Sequence, residues 1–104
     1  MAWLLLALTI VFEVIGTTLM KLSNGLTVLL PSIGVFVFYF LAIAGLTIAL
    51  KTLPLSVAYA IWSGAGTALT AVVGVYLFGE SLGLLRALSL LCVIVGVVGL
   101  QLST

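Results

Sequence analysis

The sequence predicts an all-α integral membrane protein of four transmembrane helices, and three observations carry that prediction. Hydrophobic residues make up 65% of the 104 residues and charged residues only 5%, whereas a soluble domain carries about 25% charge because water must solvate its surface. The apolar residues fall into four runs of about 20 residues, each long enough for a hydrocarbon core of roughly 30 Å. The runs are continuous, without the ten-residue alternation of barrel strands, so backbone amides that find no water in lipid must pair along a helix.

The first span runs from about Trp3 to Lys21 and closes on Ser23-Asn24-Gly25, where Asn and Gly accept the left-handed conformation of a helix end. The second runs from about Pro31 to Leu50, with proline in a first turn whose N–H groups have no partner anyway. Lys51 to Pro54 connects it to the third, from about Ser56, a candidate N-cap, to Phe78. Gly79 to Gly83 makes the last turn, and the fourth span runs from about Leu84 to Leu102. Residues 1–104 therefore read as one four-helix transmembrane domain with no linker. A cleaved signal peptide is not expected, because no basic segment precedes the first span and Glu13 interrupts it. Short loops make successive helices antiparallel neighbours, with both termini on one side.

The charged residues are Glu13, Lys21, Lys51, Glu80 and Arg86, and histidine is absent. The net charge of +1 forms no basic patch for nucleic acid. Cys92 is the one cysteine, so neither an internal disulfide nor a cysteine metal site can form. No phosphate-cradling loop, nucleophile–base arrangement or metal-ligand set is present, so no enzyme, metal or cofactor is expected. Lys51 lies on the side of the termini, and Lys21 and Arg86 on the other. That near-balance is either a weak orientation signal or a chain that inserts both ways.

Glu13 is the most informative residue. It stands about ten residues, or roughly 15 Å, into the first span, near the midplane, where ionisable groups are costly and usually functional. A carboxyl there can hold a proton or attract a cation; the bland alternative is an acid that only hydrogen-bonds a neighbouring helix. Thr9, Glu13, Gly16, Thr17 and Met20 share its helix stripe, which suits either close packing or a cavity wall.

Tyr59, Trp62 and Ser63 follow at i, i+3 and i+4 in the third span. Aromatic faces attract organic cations, although rings this near a helix start also suit an interfacial belt. Tyr39 fits either packing or a pocket. Gly64-Ala65-Gly66 is a candidate bend, or else part of a small-residue groove. In the fourth span, Ser89, Cys92, Gly96 and Gly99 are spaced 3, 4 and 3, forming a stripe that lets two helices approach closely. The fourth helix reads as an association helix. That leaves three helices and one carboxylate per copy, too few to enclose an organic ion. Two copies would bring two Glu13 side chains to one site, which could hold protons or a cation but not both well.

Over essentially its whole length the chain resembles the small multidrug resistance family of proton-coupled cation exporters. The residues that carry the resemblance are Glu13-Val14-Ile15-Gly16-Thr17-Thr18-Leu19-Met20-Lys21, Ser23-Asn24-Gly25, Pro31-Ser32, Leu53-Pro54 and Ala58-Tyr59-Ala60-Ile61-Trp62-Ser63-Gly64. The resemblance implies a multi-pass protein of the bacterial cytoplasmic (inner) membrane, working as an antiparallel, dual-topology homodimer. It implies that Glu13 of both copies binds protons and substrate competitively. Tyr59 and Trp62 would line the substrate site, with Thr17, Ser63 and Tyr39 nearby. The third-helix glycines would serve the bend between inward- and outward-facing states, and the fourth helix the dimer contact.

Two branches export different cations. Gly16-Thr17-Thr18 looks like the branch that exports quaternary ammonium and aromatic cations, since guanidinium exporters typically carry a tryptophan where Gly16 stands. Lys51-Thr52-Leu53-Pro54, the acidic third loop and Ser89, where the drug exporters usually carry glycine, depart from that branch. The expected function is proton-coupled efflux of hydrophobic or quaternary ammonium cations by alternating access. The alternatives are a guanidinium-selective exporter, a proton-carrying subunit of a ring assembly, and a passive channel. Ring subunits share the single buried carboxylate but are typically two-helix hairpins without the aromatic pair.

Overall fold

The computed structural model describes residues 1–103 and contains four helices, each long and apolar enough to cross a membrane. They are α1 (Ala2–Leu22), α2 (Leu29–Ala49), α3 (Leu55–Phe78) and α4 (Leu84–Leu102). The 21 residues of α1 and of α2 span about 32 Å at 1.5 Å per residue, matching the apolar thickness of a bilayer.

Three helix ends differ in detail from the sequence reading. α2 begins at Leu29, ahead of Pro31, with Val28 as its N-cap. Pro31 still sits in the first turn; the first intrahelical donor is Ser32, whose N–H reaches the Val28 carbonyl at 3.1 Å. α3 is capped by Pro54, not Ser56. Pro54 supplies a carbonyl to the Ala58 N–H at 2.9 Å, which needs no side chain. α1 closes on Ser23, and the left-handed conformation extends over Asn24, Gly25 and also Leu26 (φ 69°). The buried Ser23 hydroxyl holds this turn, donating to the Met20 carbonyl at 2.7 Å and accepting from the Leu26 N–H at 3.1 Å.

The helices lie side by side in the order α2–α1–α3–α4. Among the described residues α2 packs closely only on α1, and α4 only on α3. The result is a slab of 41 × 35 × 17 Å. Its small core is formed by Leu6, Ile10 and Val14 of α1 against Ala58 and Ile61 of α3. The α1–α2 seam closes through glycines: Leu19 packs on Gly34, and Thr9 on Gly45. Thr9 therefore faces α2, and its buried hydroxyl donates to the Leu6 carbonyl at 2.7 Å. With no hydrophobic drive between helices in lipid, such close approach supplies the packing energy.

No α4 residue is buried. A Cβ built on Gly96 or Gly99 would meet nothing within 4 Å, and Ser89 and Cys92 are exposed. The whole small-residue stripe thus faces away from the rest of the chain.

Candidate functional site

Glu13 lies where α1 passes between α2 and α3, and its two carboxylate oxygens face different neighbours. Thr17, one turn along α1, donates to Oε1 at 2.9 Å. The Tyr39 hydroxyl on α2 lies 2.5 Å from Thr17 Oγ1 and 3.5 Å from Glu13 Oε1. Threonine has one hydroxyl hydrogen, and here it is committed to the carboxylate. Tyr39 must then supply the hydrogen of the short bond, giving a chain from Tyr39 to Thr17 to Glu13. Two polar groups on two helices thereby hold one carboxylate oxygen. This is the arrangement by which a low-dielectric interior fixes an ionisable side chain without leaving its neighbours unsatisfied.

Gly16 makes the chain possible. A Cβ there would stand 2.8 and 2.9 Å from two carbons of the Tyr39 ring, so the ring lies directly on the α1 backbone. Oε2 turns the other way, toward α3. A Cβ on Gly66 would stand 2.7 Å from it. Gly66 therefore accommodates the carboxylate, while Gly64 faces α4, where a Cβ would meet Val97 at 2.7 Å. The helix runs unbroken through both glycines.

Beyond Glu13 a groove of about 520 Å³ runs between α1 and α3. Glu13, Thr17, Trp62 and Ser63 line its inner part. Of the residues singled out in the sequence, these four come together, with Tyr39 and Gly16 behind them. Tyr59 is not in the groove wall. It is 56% exposed, on the outer side of Trp62, with ring centroids 6.1 Å apart. The Trp62 indole N–H is buried and has no partner among the described residues. Ser63 donates to the Tyr59 carbonyl at 2.9 Å, and Thr67 to the Ser63 carbonyl at 2.7 Å. With those hydrogens committed to the backbone, both oxygens keep only acceptor lone pairs.

The groove continues past Thr70 and Gly74 to Lys21, Glu80 and Arg86. In sequence the last two are an acid and a base six residues apart beside one loop, a spacing that suggests no more than a local ion pair at the interface. They do pair, at 2.8 Å, but they also form one end of the cavity that holds Glu13. Their separation in sequence from Glu13 hid that connection.

Fold and site together define a membrane protein with one carboxyl at the inner end of a groove lined by aromatic and hydroxyl groups. Known proteins of that class are similar to this chain. Residues 1–94 match the family model described as Small Multidrug Resistance protein, and the chain belongs to that family. It is 53% identical to the "Multidrug resistance protein EbrB" of Bacillus subtilis, over 96% of this chain and 86% of that protein. It is 46% identical to the "Uncharacterized membrane protein YvaE" of the same organism, over 98% and 86%. It is 40% identical to the "Guanidinium exporter" of Yersinia pseudotuberculosis, over the whole of both chains. The protein is a multi-pass transporter of the bacterial cytoplasmic membrane.

Proposed function

We propose that this transporter exports hydrophobic or quaternary ammonium cations in exchange for protons, by alternating access about Glu13. The observation that carries the reading is the position of that carboxyl. It terminates a groove whose walls offer an aromatic face at Trp62 and hydroxyl oxygens with their hydrogens turned into the helix. A cation is held there by charge, by the ring quadrupole and by oxygen lone pairs. A proton on Glu13 removes the first of these, so proton and cation exclude one another.

The working unit in this reading is an antiparallel homodimer with a Glu13 from each copy, joined along the Ser89–Cys92–Gly96–Gly99 stripe. The open stripe on α4 supports that contact, because it leaves the backbone accessible to a second helix. Bending of α3 at Gly64 and Gly66 would switch the side to which the groove opens. Tyr59 would reach substrate in such a dimer or after such a bend.

Gly16 favours the quaternary ammonium branch. A large side chain there would occupy the volume of the Tyr39 ring. A guanidinium substrate is the second reading, supported by the relative named for it that matches the chain end to end.

The test is proton release when phenyltrimethylammonium is added to detergent-purified protein, unaltered and as Glu13→Gln. Release from the unaltered protein alone is expected. Release that persists in Glu13→Gln would overturn the mechanism. Release with guanidinium but not with the quaternary ion would move the protein to the second reading.

A further inference from the structure

The charged end of the groove has a structure of its own. Gly79 closes α3 in the left-handed conformation (φ 67°) and folds the chain back, so that the Glu80 N–H meets the Gly74 carbonyl at 3.1 Å. The Glu80 side chain then lies over Gly74, where a Cβ would stand 2.5 Å from Oε1. Arg86, in the first turns of α4, holds that same oxygen through Nη2 at 2.8 Å and the Ser81 carbonyl through Nη1 at 2.8 Å. Glu80 Oε2 takes no hydrogen bond among the described residues. Both side chains of the pair are 42% exposed, so the pair is open at the groove's end and is not buried.

Lys21 completes this end. It lies eight residues, or about 12 Å, beyond Glu13 along α1, level with the last turns of α3. The mouth therefore holds two cationic side chains, Lys21 and Arg86, and one carboxylate. A cation leaving or approaching Glu13 by this route must pass them. Without Glu80 the two positive groups would repel it.

We propose that Glu80 is a second cation-recognition group of the transporter, a carboxylate at the groove mouth that meets organic cations before Glu13 does and sets their rate of access. Arg86 opposes it by occupying Oε1, and Gly74 gives it room to lie over α3. The inference rests on the cation-export reading above and adds a residue that acts on access, not on proton exchange. Charge in a cleft of low-dielectric walls acts mainly on encounter and is screened by salt.

A purely structural ion pair and an electrostatic mouth predict different outcomes. Breaking a structural pair from either side does the same harm. At an electrostatic mouth, the two sides have opposite signs. The experiment is the initial rate of proton-driven transport of phenyltrimethylammonium, and of guanidinium, in proteoliposomes, for Glu80→Gln, Arg86→Gln and Arg86→Lys. At about 0.01 M salt Glu80→Gln is expected to raise KM by roughly threefold to tenfold and Arg86→Gln to lower it, with kcat little changed; at about 1 M salt both effects should vanish, because screening then acts within about 3 Å. Arg86→Lys keeps the charge and should behave as the unaltered protein. KM shifts of the same sign in Glu80→Gln and Arg86→Gln, or none, would overturn the proposal. Cation-induced proton release in detergent reads Glu13 alone and should persist in all three variants. Its absence from the unaltered protein with both cations would remove the export reading, and this proposal with it.

Discussion

Gly66 of α3 lies so close to the Glu13 carboxylate that a methyl group in its place would stand 2.7 Å from Oε2. The contact is to the far end of a flexible side chain, so an alanine there would displace the carboxylate and leave the helix in place. Gly66→Ala should therefore weaken cation binding by about tenfold, within the range of 1–3 kcal/mol that overpacking costs, with little loss of thermal stability. Gly64→Ala meets Val97 on α4 instead and should do the reverse. Binding titrations and thermal unfolding in detergent, run on both variants, separate the two effects. Identical behaviour of the two alanines would mean that both glycines matter only for helix bending.

The hydrogen-bond chain from Tyr39 through Thr17 gives a graded prediction. Thr17→Val deletes the close donor to Oε1, and Tyr39→Phe the donor to Thr17 with its long 3.5 Å contact to the same oxygen. A hydrogen bond to a charged acceptor contributes about 1.5–3 kcal/mol, so Thr17→Val should cost about tenfold or more in cation affinity and Tyr39→Phe less. Because the two groups act in series, the double variant should resemble Thr17→Val alone. Additive losses in a double-mutant cycle would show two independent contacts to Glu13.

Gly16 should be sensitive for a different reason. The Tyr39 ring lies on it, and a ring packed against backbone on a second helix cannot easily yield. Gly16→Ala is expected to lower stability by about 1–3 kcal/mol, and Tyr39→Leu in the same chain to restore part of it. Thermal denaturation of the four proteins of that cycle measures the coupling. No coupling would place the strain elsewhere.

Along α4, Gly96→Leu and Gly99→Leu meet nothing inside the chain. Both variants should keep the helical content of the unaltered protein, yet each should shift the particle toward the monomer in light scattering and abolish transport. Intact dimers in both variants would exclude this stripe as the contact.

The turn after α1 stores a small amount of strain. Leu26 sits at φ 69°, a conformation that costs an L residue about 1–2 kcal/mol relative to its usual regions. Leu26→Gly should raise stability by about 1 kcal/mol at most, since glycine also gains freedom in the unfolded chain. Unchanged or lowered stability would show that the Leu26 side chain contributes packing that offsets the strain.

How far the site could be read from residues alone depended on rarity. Glu13 announced itself because a carboxyl in the midst of an apolar span is expensive. Trp62, Ser63 and Thr17 followed as neighbours with chemistry to offer. Tyr39 stayed ambiguous because a tyrosine in a lipid span packs as readily as it lines a pocket. Thr9 shares the Glu13 stripe by spacing, but its methyl sits on Gly45 and turns it to α2. Glu80 and Arg86 lie more than 60 residues from Glu13 in sequence, and no spacing rule links them to its groove.

The sequence by itself determined that the chain lives in lipid, that it crosses four times as helices, and that one carboxyl lies at the middle. Those follow from composition, run length and the need of every backbone amide for a partner, none of which depends on neighbours. Only the tertiary structure decided that α1 lies between α2 and α3, that Gly66 faces Glu13, and that the Glu80–Arg86 pair ends the same groove. Helical spacing says which residues share a face. In a soluble protein the apolar face also says where the core is, but in lipid nearly every face is apolar. The choice of neighbour then falls to shape, to a missing Cβ under a ring or beside a carboxylate, and that complementarity exists only once the helices are brought together.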